Sequence, residues 1–380
     1  MNIAKIIGYN LRKVQEENNY SQKELGEIID VTRQTISKYL NGERILDCGK
    51  LYKLAKHFNK SIDYFLSQDN NEDDMAFMFR ADDLENNFNK ILKEQISQRF
   101  NYYHEVIEMS DLQIKDYIPE EYNIEIKGDK LSKKEKETIA KIAEKQRRYM
   151  GVDDALNVNI FNLFEENNIN IMAQEIYDQN LDALSAYSKD KGAFIFINDR
   201  KDIPEERKIF SVVHELGHLI LHREEYSKDV SQLKYTNSGI KDIREKVADY
   251  FAMSFLIPAK VLESYSYYFD GYVDLDLIIE KKKDFGVSAK SLIMALKENG
   301  LIDGPTLGAL FKFLRKRGFE TAEPNPREYI KKNEKLLALV RKLVIEKKIT
   351  INKAAVVLNI PVSEMRRKAK RWKNSGYNKT

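Results

Sequence analysis

Apolar residues recur every three to four positions through most of this chain, the spacing of helices with one buried face. Ile3, Ile6, Ile7, Leu11 and Val14 share such a face at the start. Ser21, with Glu24 three residues later, makes a capping box and opens a short helix from Gln22 to Ile29, with small Gly26 in its middle. Asp30-Val31-Thr32 reads as a turn, Arg33 to Leu40 as the next helix, and Asn41-Gly42 as its left-handed stop. Leu51, Leu54, Ala55 and Phe58 form a further helix, and Ile62, Phe65 and Leu66 close a small core. Helical spacing resumes over 84–117 with Leu84, Phe88, Ile91, Leu92, Ile96 and Phe100, predicting a connecting or dimerising helix. Residues 118–128 read as a loop and 129–136 as a charged lead-in. Helices follow at Ile139 to Met150 and around Ile160, Leu163 and Phe164.

At Ile169 to Met172 and Ala193 to Ile197 the pattern changes to short apolar runs, which predict strands. A long apolar helix then opens at Pro204-Glu205-Glu206, with acids where the helix dipole favours them. Two helices meet at Gly286-Val287-Ser288 within 273–302. The tyrosines Tyr265, Tyr267, Tyr268 and Tyr272 read as packing before that pair. The expected fold is mainly α with a small β-sheet (α+β). Its parts are a helix–turn–helix domain at 1–68, an acidic linker and connecting helix at 69–134, an α+β domain around the long helix at 135–262, a helical extension at 263–329 and a basic helical tail at 330–380.

The long helix carries His214-Glu215-Leu216-Gly217-His218. Positions i and i+4 lie on one helix face, so His214 and His218 can offer two imidazoles to one metal ion. Glu215 points about 100° away and can act on a water beside that ion. This is the zinc-peptidase arrangement. A catalytic zinc site takes three protein ligands. A third histidine six residues after His218 is ruled out, because position 224 is Glu. Glu245 is the better third ligand, and His222 is the alternative or part of the wall. Glu245 and Asp249 are again i and i+4, so Glu245 can ligate while Asp249 holds the outer N–H of a ligating histidine. Zinc is the expected ion, with manganese as a substitute in a His/carboxylate site.

In the N-terminal unit, a helix–turn–helix with polar residues on its second helix is a DNA-reading arrangement. Arg33, Gln34, Thr35 and Lys38 are placed to face the major groove, where Arg suits guanine and Gln suits adenine. Gln22 and Arg44 are placed for phosphates, which position without specifying sequence. Residues 69–85 hold Asp69, Glu72, Asp73, Asp74, Asp82, Asp83 and Glu85, a solvated linker by charge.

Composition narrows the class only slightly. Of 380 residues, 32% are charged and 42% hydrophobic, and the net charge of +3 is too small to identify a partner. One cysteine, Cys48, excludes an intrachain disulfide and fits a reducing cytoplasm. No apolar run of about 18 residues is present, so no membrane partner is expected.

Two resemblances follow from these motifs. SQKELGEIIDVTRQTISKYLNGER resembles the Cro/repressor-like (XRE) family across 1–68. HELGHLILH, with the later Glu-x-x-Ala-Asp-x-Phe-Ala-x-x-Phe-Leu-Ile-Pro, resembles the ImmA/IrrE metallopeptidases over roughly 135–305. Where many members carry Arg in the downstream helix, this chain has Ala295. The resemblance implies a gluzincin-like zinc endopeptidase and, as substrate, a helix–turn–helix repressor, so that limited proteolysis changes transcription. Such cutting runs in cis on the 69–134 segment or in trans on a separate repressor. Trans is favoured, because cis cleavage at full activity destroys the fusion as it is made. The rival expectation is a DNA-binding regulator whose peptidase-like domain senses a metal or ligand without proteolysis. Partners are then a double-stranded DNA operator, a protein substrate and, through the connecting helix, a second copy.

One further repetition is visible. Residues 350–365 align without a gap on 21–36: Thr350 on Ser21, Ala355 on Gly26, Ile360 on Val31, Met365 on Ile36. A basic tail follows, with Arg366, Arg367, Lys368, Lys370, Arg371 and Lys373 around Trp372. It reads either as a second helix–turn–helix or as a helical cap with a solvated basic end.

Overall fold

A computed structural model describes residues 3–18, 20–58, 60, 62–66, 76–78, 87–110, 120–126, 128–152, 158–177, 181–188, 191–223 and 243–376. The chain divides into two compact units, 1–74 and 75–380.

The first unit is the expected all-α bundle: α1 (Ile3–Glu17), α2 (Gln22–Ile28), α3 (Arg33–Leu40), α4 (Cys48–His57) and α5 (Ile62–Leu66). Ser21 and Glu24 form the reciprocal capping box. Leu11, Val14, Leu25, Ile36, Leu54 and Phe65 are fully or almost fully buried in one core. Gly8 lets α1 and α3 touch, since a Cβ there would stand 2.4 Å from the Tyr39 carbonyl oxygen.

The second unit is built on a four-stranded sheet. Its elements begin with β1 (Ala76–Met78), α6 (Asn87–Met109), α7 (Lys133–Tyr149), α8 (Ile160–Glu166), β2 (Ile169–Gln174), β3 (Ala183–Ser188) and β4 (Gly192–Asn198). Then come α9 (Glu205–Leu221), α10 (Ile243–Leu256), α11 (Ala259–Ser264), α12 (Leu275–Phe285), α13 (Ala289–Glu298), α14 (Gly304–Lys316), α15 (Glu334–Ile345), α16 (Ile351–Leu358) and α17 (Val362–Gly376). The strand order is β1-β3-β4-β2, antiparallel except for the parallel β2–β4 pair.

Both sheet faces are covered, which is why β4 reads as an unbroken apolar run. Ala193, Ile195 and Ile197 point into a core with α7, α9 and α10, whereas Phe194 and Phe196 point into a second core with α6, α15 and α16. The connecting helix α6 is therefore a layer of this unit, with Phe100, Tyr103 and Val106 fully buried. The helix expected from Ile139 starts earlier, at Lys133, because Ser132 and Glu135 form a second capping box. Apart from Ala76–Met78, the acidic run at 69–85 lies outside the described residues, as do Ile118 and Pro119.

The acids at the start of α9 do more than face a helix dipole. Glu205 bonds Lys208 at 2.9 Å and Lys332 at 2.7 Å, and Glu206 bonds Lys282 at 2.8 Å, with all five groups buried. Lys282 also reaches Glu323 at 2.9 Å. These pairs tie the root of α9 to α12 and to the segment before α15. Among the described residues no helix is long and apolar enough to cross a membrane.

Candidate metal centre

Gly217 sits where α9 crosses α10. A Cβ there would lie 3.1 Å from Phe251 Cδ1 and 3.2 Å from Ala248 Cα. The two helices are thus in close contact, and Glu245 at the start of α10 faces His214 and His218 on α9. His214 Nε2 is 3.1 Å from His218 Nε2 and 3.5 Å from Glu245 Oε2, and His218 Nε2 is 3.1 Å from Glu245 Oε1. Ligand atoms about 2.0–2.1 Å from one tetrahedral zinc stand roughly 3.3 Å apart, so this donor set fits a divalent ion. Among the described residues it is the group of three with that geometry.

The outer nitrogens are engaged as well. His214 Nδ1 lies 2.9 Å from Asp249 Oδ1, and His218 Nδ1 lies 3.0 Å from His222 Nδ1. A proton on His214 Nδ1, donated to Asp249, leaves the Nε2 lone pair facing the centre. Burial works against charge on His214, yet Asp249, Glu245 and Glu215 outweigh it and raise its pKa to about 9. Burial also disfavours the Glu245 carboxylate, but the two imidazoles hold its pKa well below the usual range. Partial burial of the half-buried His222, with His218 beside it, pushes it well below the ordinary histidine pKa. It touches a candidate ligand and is not itself in the group of three.

Glu215 is buried and accepts a short hydrogen bond from Ser185 Oγ of β3. Sequence reasoning missed both the strand and this serine. Leu184 and Ala186 face the α6 side, while Ser185 faces α9, so the polar alternation masks a strand buried on both faces. The clue was Asp190-Lys191-Gly192, a hairpin signal directly ahead of β4. Two of the tyrosines take part in packing: Tyr265 packs on Phe285, and Lys281 lies 3.8 Å from the Tyr268 ring centroid. Ala295 is fully buried in the core.

In the first unit, Arg33, Gln34 and Lys38 are exposed along α3. Thr35 is half-buried, its hydroxyl 3.0 Å from Thr32 Oγ1 at the helix cap. Gln22 is half-buried, and Arg44 is exposed 5.9 Å from the Tyr39 ring centroid.

Residues 10–65 match the helix-turn-helix family, and residues 164–297 match the family described as IrrE N-terminal-like domain. The two matched segments do not overlap. The chain thus carries a helix-turn-helix match ahead of a metallopeptidase-like one, in the order that the sequence motifs predict. A solved Mycobacterium tuberculosis transcriptional regulator is similar at 17% identity and TM-score 0.31, over 42% of this chain and 46% of that one. This chain thus spans about half that protein's length. The apo competence regulator ComR from Streptococcus vestibularis is matched over 98% of this chain and 92% of that one, at 14% identity and TM-score 0.17. Comparison with curated proteins finds no match.

Metal content tests the ligand set. About one zinc per chain is expected for a site of this kind, measured by elemental analysis after dialysis. His214→Ala and Glu245→Ala should each lower it sharply. Full occupancy in Glu245→Ala together with loss in His222→Ala would reverse the third-ligand assignment.

Proposed function

We propose that this protein is a transcription regulator, a zinc-dependent endopeptidase whose helix–turn–helix domain brings it to a DNA operator. The reading rests above all on Glu215, a buried carboxylate held by Ser185 and next in sequence to one of two histidines that share a carboxylate partner. A purely structural metal site has no need of such a base. His214, His218 and Glu245 would hold zinc, which when bound would supply Lewis acidity to the scissile carbonyl and to water. Ser185 fixes Oε2 of Glu215. The carboxylate takes a proton from the attacking water and delivers it to the leaving amine. Asp249 keeps His214 in the tautomer that faces the centre.

The side of β3 away from β4 is where an extended substrate would pair if β1 left it. An extended peptide can add to a sheet edge through main-chain hydrogen bonds. Here β1 lies antiparallel on β3, with Met78 opposite Ser185 and Ala76 opposite Tyr187. The same pairing favours the second reading, a metal or ligand sensor without proteolysis, because the chain itself covers that edge. It also makes the linker a cis substrate to weigh against a repressor cut in trans.

One experiment separates these readings. Purified protein is incubated with zinc or manganese and candidate helix–turn–helix repressors, and fragments are identified by mass spectrometry. Discrete fragments of a repressor support trans cleavage. Self-clipping within 69–134 at a dilution-independent rate, with every repressor spared, replaces it with cis cleavage. Intact metal-loaded protein and intact repressors leave the sensor reading.

The DNA half has its own outcome. On a selected operator, Gln34→Ala should relax sequence preference by about 1–3 kcal/mol at one position. Gln22→Ala should weaken all sequences more evenly. Equal losses on every sequence in Gln34→Ala would remove α3 from base reading.

A further inference from the structure

We infer that α15, α16 and α17 form a second helix–turn–helix, and that the outer face of α17 binds the phosphate backbone of duplex DNA without reading bases. The inference is independent of whether the peptidase cuts.

The backbone repeats the first unit position by position. Thr350 Oγ1 accepts from Lys353 N–H at 3.1 Å as Ser21 Oγ accepts from Glu24 N–H at 3.3 Å. Nine residues after each cap the chain turns left-handed, at Asn359 with φ 52° and at Asp30 with φ 56°. The next N–H closes the same bond, Ile360 to the Ala355 carbonyl at 3.0 Å and Val31 to the Gly26 carbonyl at 2.9 Å. The second helix then starts in the same register, with Met365 N–H on the Pro361 carbonyl and Ile36 N–H on the Thr32 carbonyl. Met365 and Ile36 are both fully buried.

The turn alone is not enough, since Gly286-Val287-Ser288 repeats it between α12 and α13. There the second helix is covered: Ala289 N–H donates to Glu323 at 2.9 Å, and Lys290 reaches the Glu320 carbonyl. In α17 the corresponding face is open. Met365 and Ala369 turn inward, and Arg366, Arg367, Lys370 and Lys373 are exposed. Glu364 is the acid of this helix, and it lies 3.6 Å from Lys368. Such one-signed charge on an exposed helix complements a polyanion.

The same comparison argues against base reading. The positions of Arg33, Gln34, Thr35 and Lys38 are held by Val362, Ser363, Glu364 and Arg367. The Arg and Gln that suit guanine and adenine are missing from the leading turn, and Arg367 remains for phosphate. A regular duplex fits better than a single strand, which calls for exposed stacking aromatics. Trp372, the aromatic of this helix, is half-buried against the second core and lines a groove with Leu337, Ala338 and Arg341 of α15.

Removing the tail is the wrong test, because Leu339, Val340 and Leu343 of α15 cover the sheet's second face. The test uses full-length protein and a random-sequence duplex, titrated at several salt concentrations. Arg366→Gln/Arg367→Gln/Lys370→Gln should weaken binding at least tenfold and flatten the salt dependence by about 0.9 in log–log slope for each phosphate no longer neutralised. A control triple on α14, Lys312→Gln/Arg315→Gln/Lys316→Gln, removes equal charge and should change neither. An unchanged slope in the α17 variant, an equal effect of the α14 variant, or a loss confined to single-stranded RNA would each overturn the proposal. An unaltered melting transition and metal content show that the α17 variant is folded.

Discussion

Glu215→Gln is expected to keep its metal and to lose cleavage by a factor of ~100 to ~10,000, the usual contribution of a positioned general base. The substitution preserves shape and a carbonyl oxygen that can still accept from Ser185 Oγ. It removes only the capacity to take up a proton. His214, His218 and Glu245 are untouched, so occupancy should match the unaltered protein within error. Fragment yield against time, beside elemental analysis of the same sample, measures both. Undiminished cleavage in Glu215→Gln would mean that another group is the base. Loss of metal and cleavage together would make Glu215 a ligand.

Lys282→Met is expected to destabilise the second unit by about 3–5 kcal/mol, the cost of breaking one partner out of a buried ion pair. The lysine is 1% exposed and bridges Glu206 at 2.8 Å and Glu323 at 2.9 Å. Its removal strands two carboxylates near the root of the helix that carries His214 and His218. Glu206 then keeps a bond from Arg327 N–H at 3.0 Å, too little to offset a buried charge. Urea denaturation followed by far-UV circular dichroism reads the loss. Adding Glu206→Gln and Glu323→Gln to Lys282→Met should recover much of it, because the charges then disappear together. A loss below ~1 kcal/mol would show that water reaches these groups.

How much was legible in the sequence varies by element. The capping box at Ser21, the turn at Asp30 and the apolar face of α1 depend on residues a few positions apart. The structure returns them where the pattern placed them. His214 and His218 were legible for the same reason, and so was the pairing of Glu245 with Asp249. Their convergence was a harder inference, since it needs α9 and α10 to cross at Gly217. Small Ala248 and Ala252 of α10 leave room for that crossing.

What the sequence by itself determined, then, is whatever one helix or one turn decides locally: the first unit's core and caps, the two-histidine face, and the repeated turn at 350–365. Tertiary structure decided the rest. Ser185 meets Glu215 only because β3 lies against α9. β1 reaches β3 across more than a hundred residues of chain. Glu205 and Glu206 read as ordinary helix-start acids until Lys332 and Lys282 arrive from distant segments. The physical reason is common to all three. Hydrophobic period and capping report each residue's own element, whereas a polar side chain's partner depends on which elements dock, and burial then makes that partner obligatory.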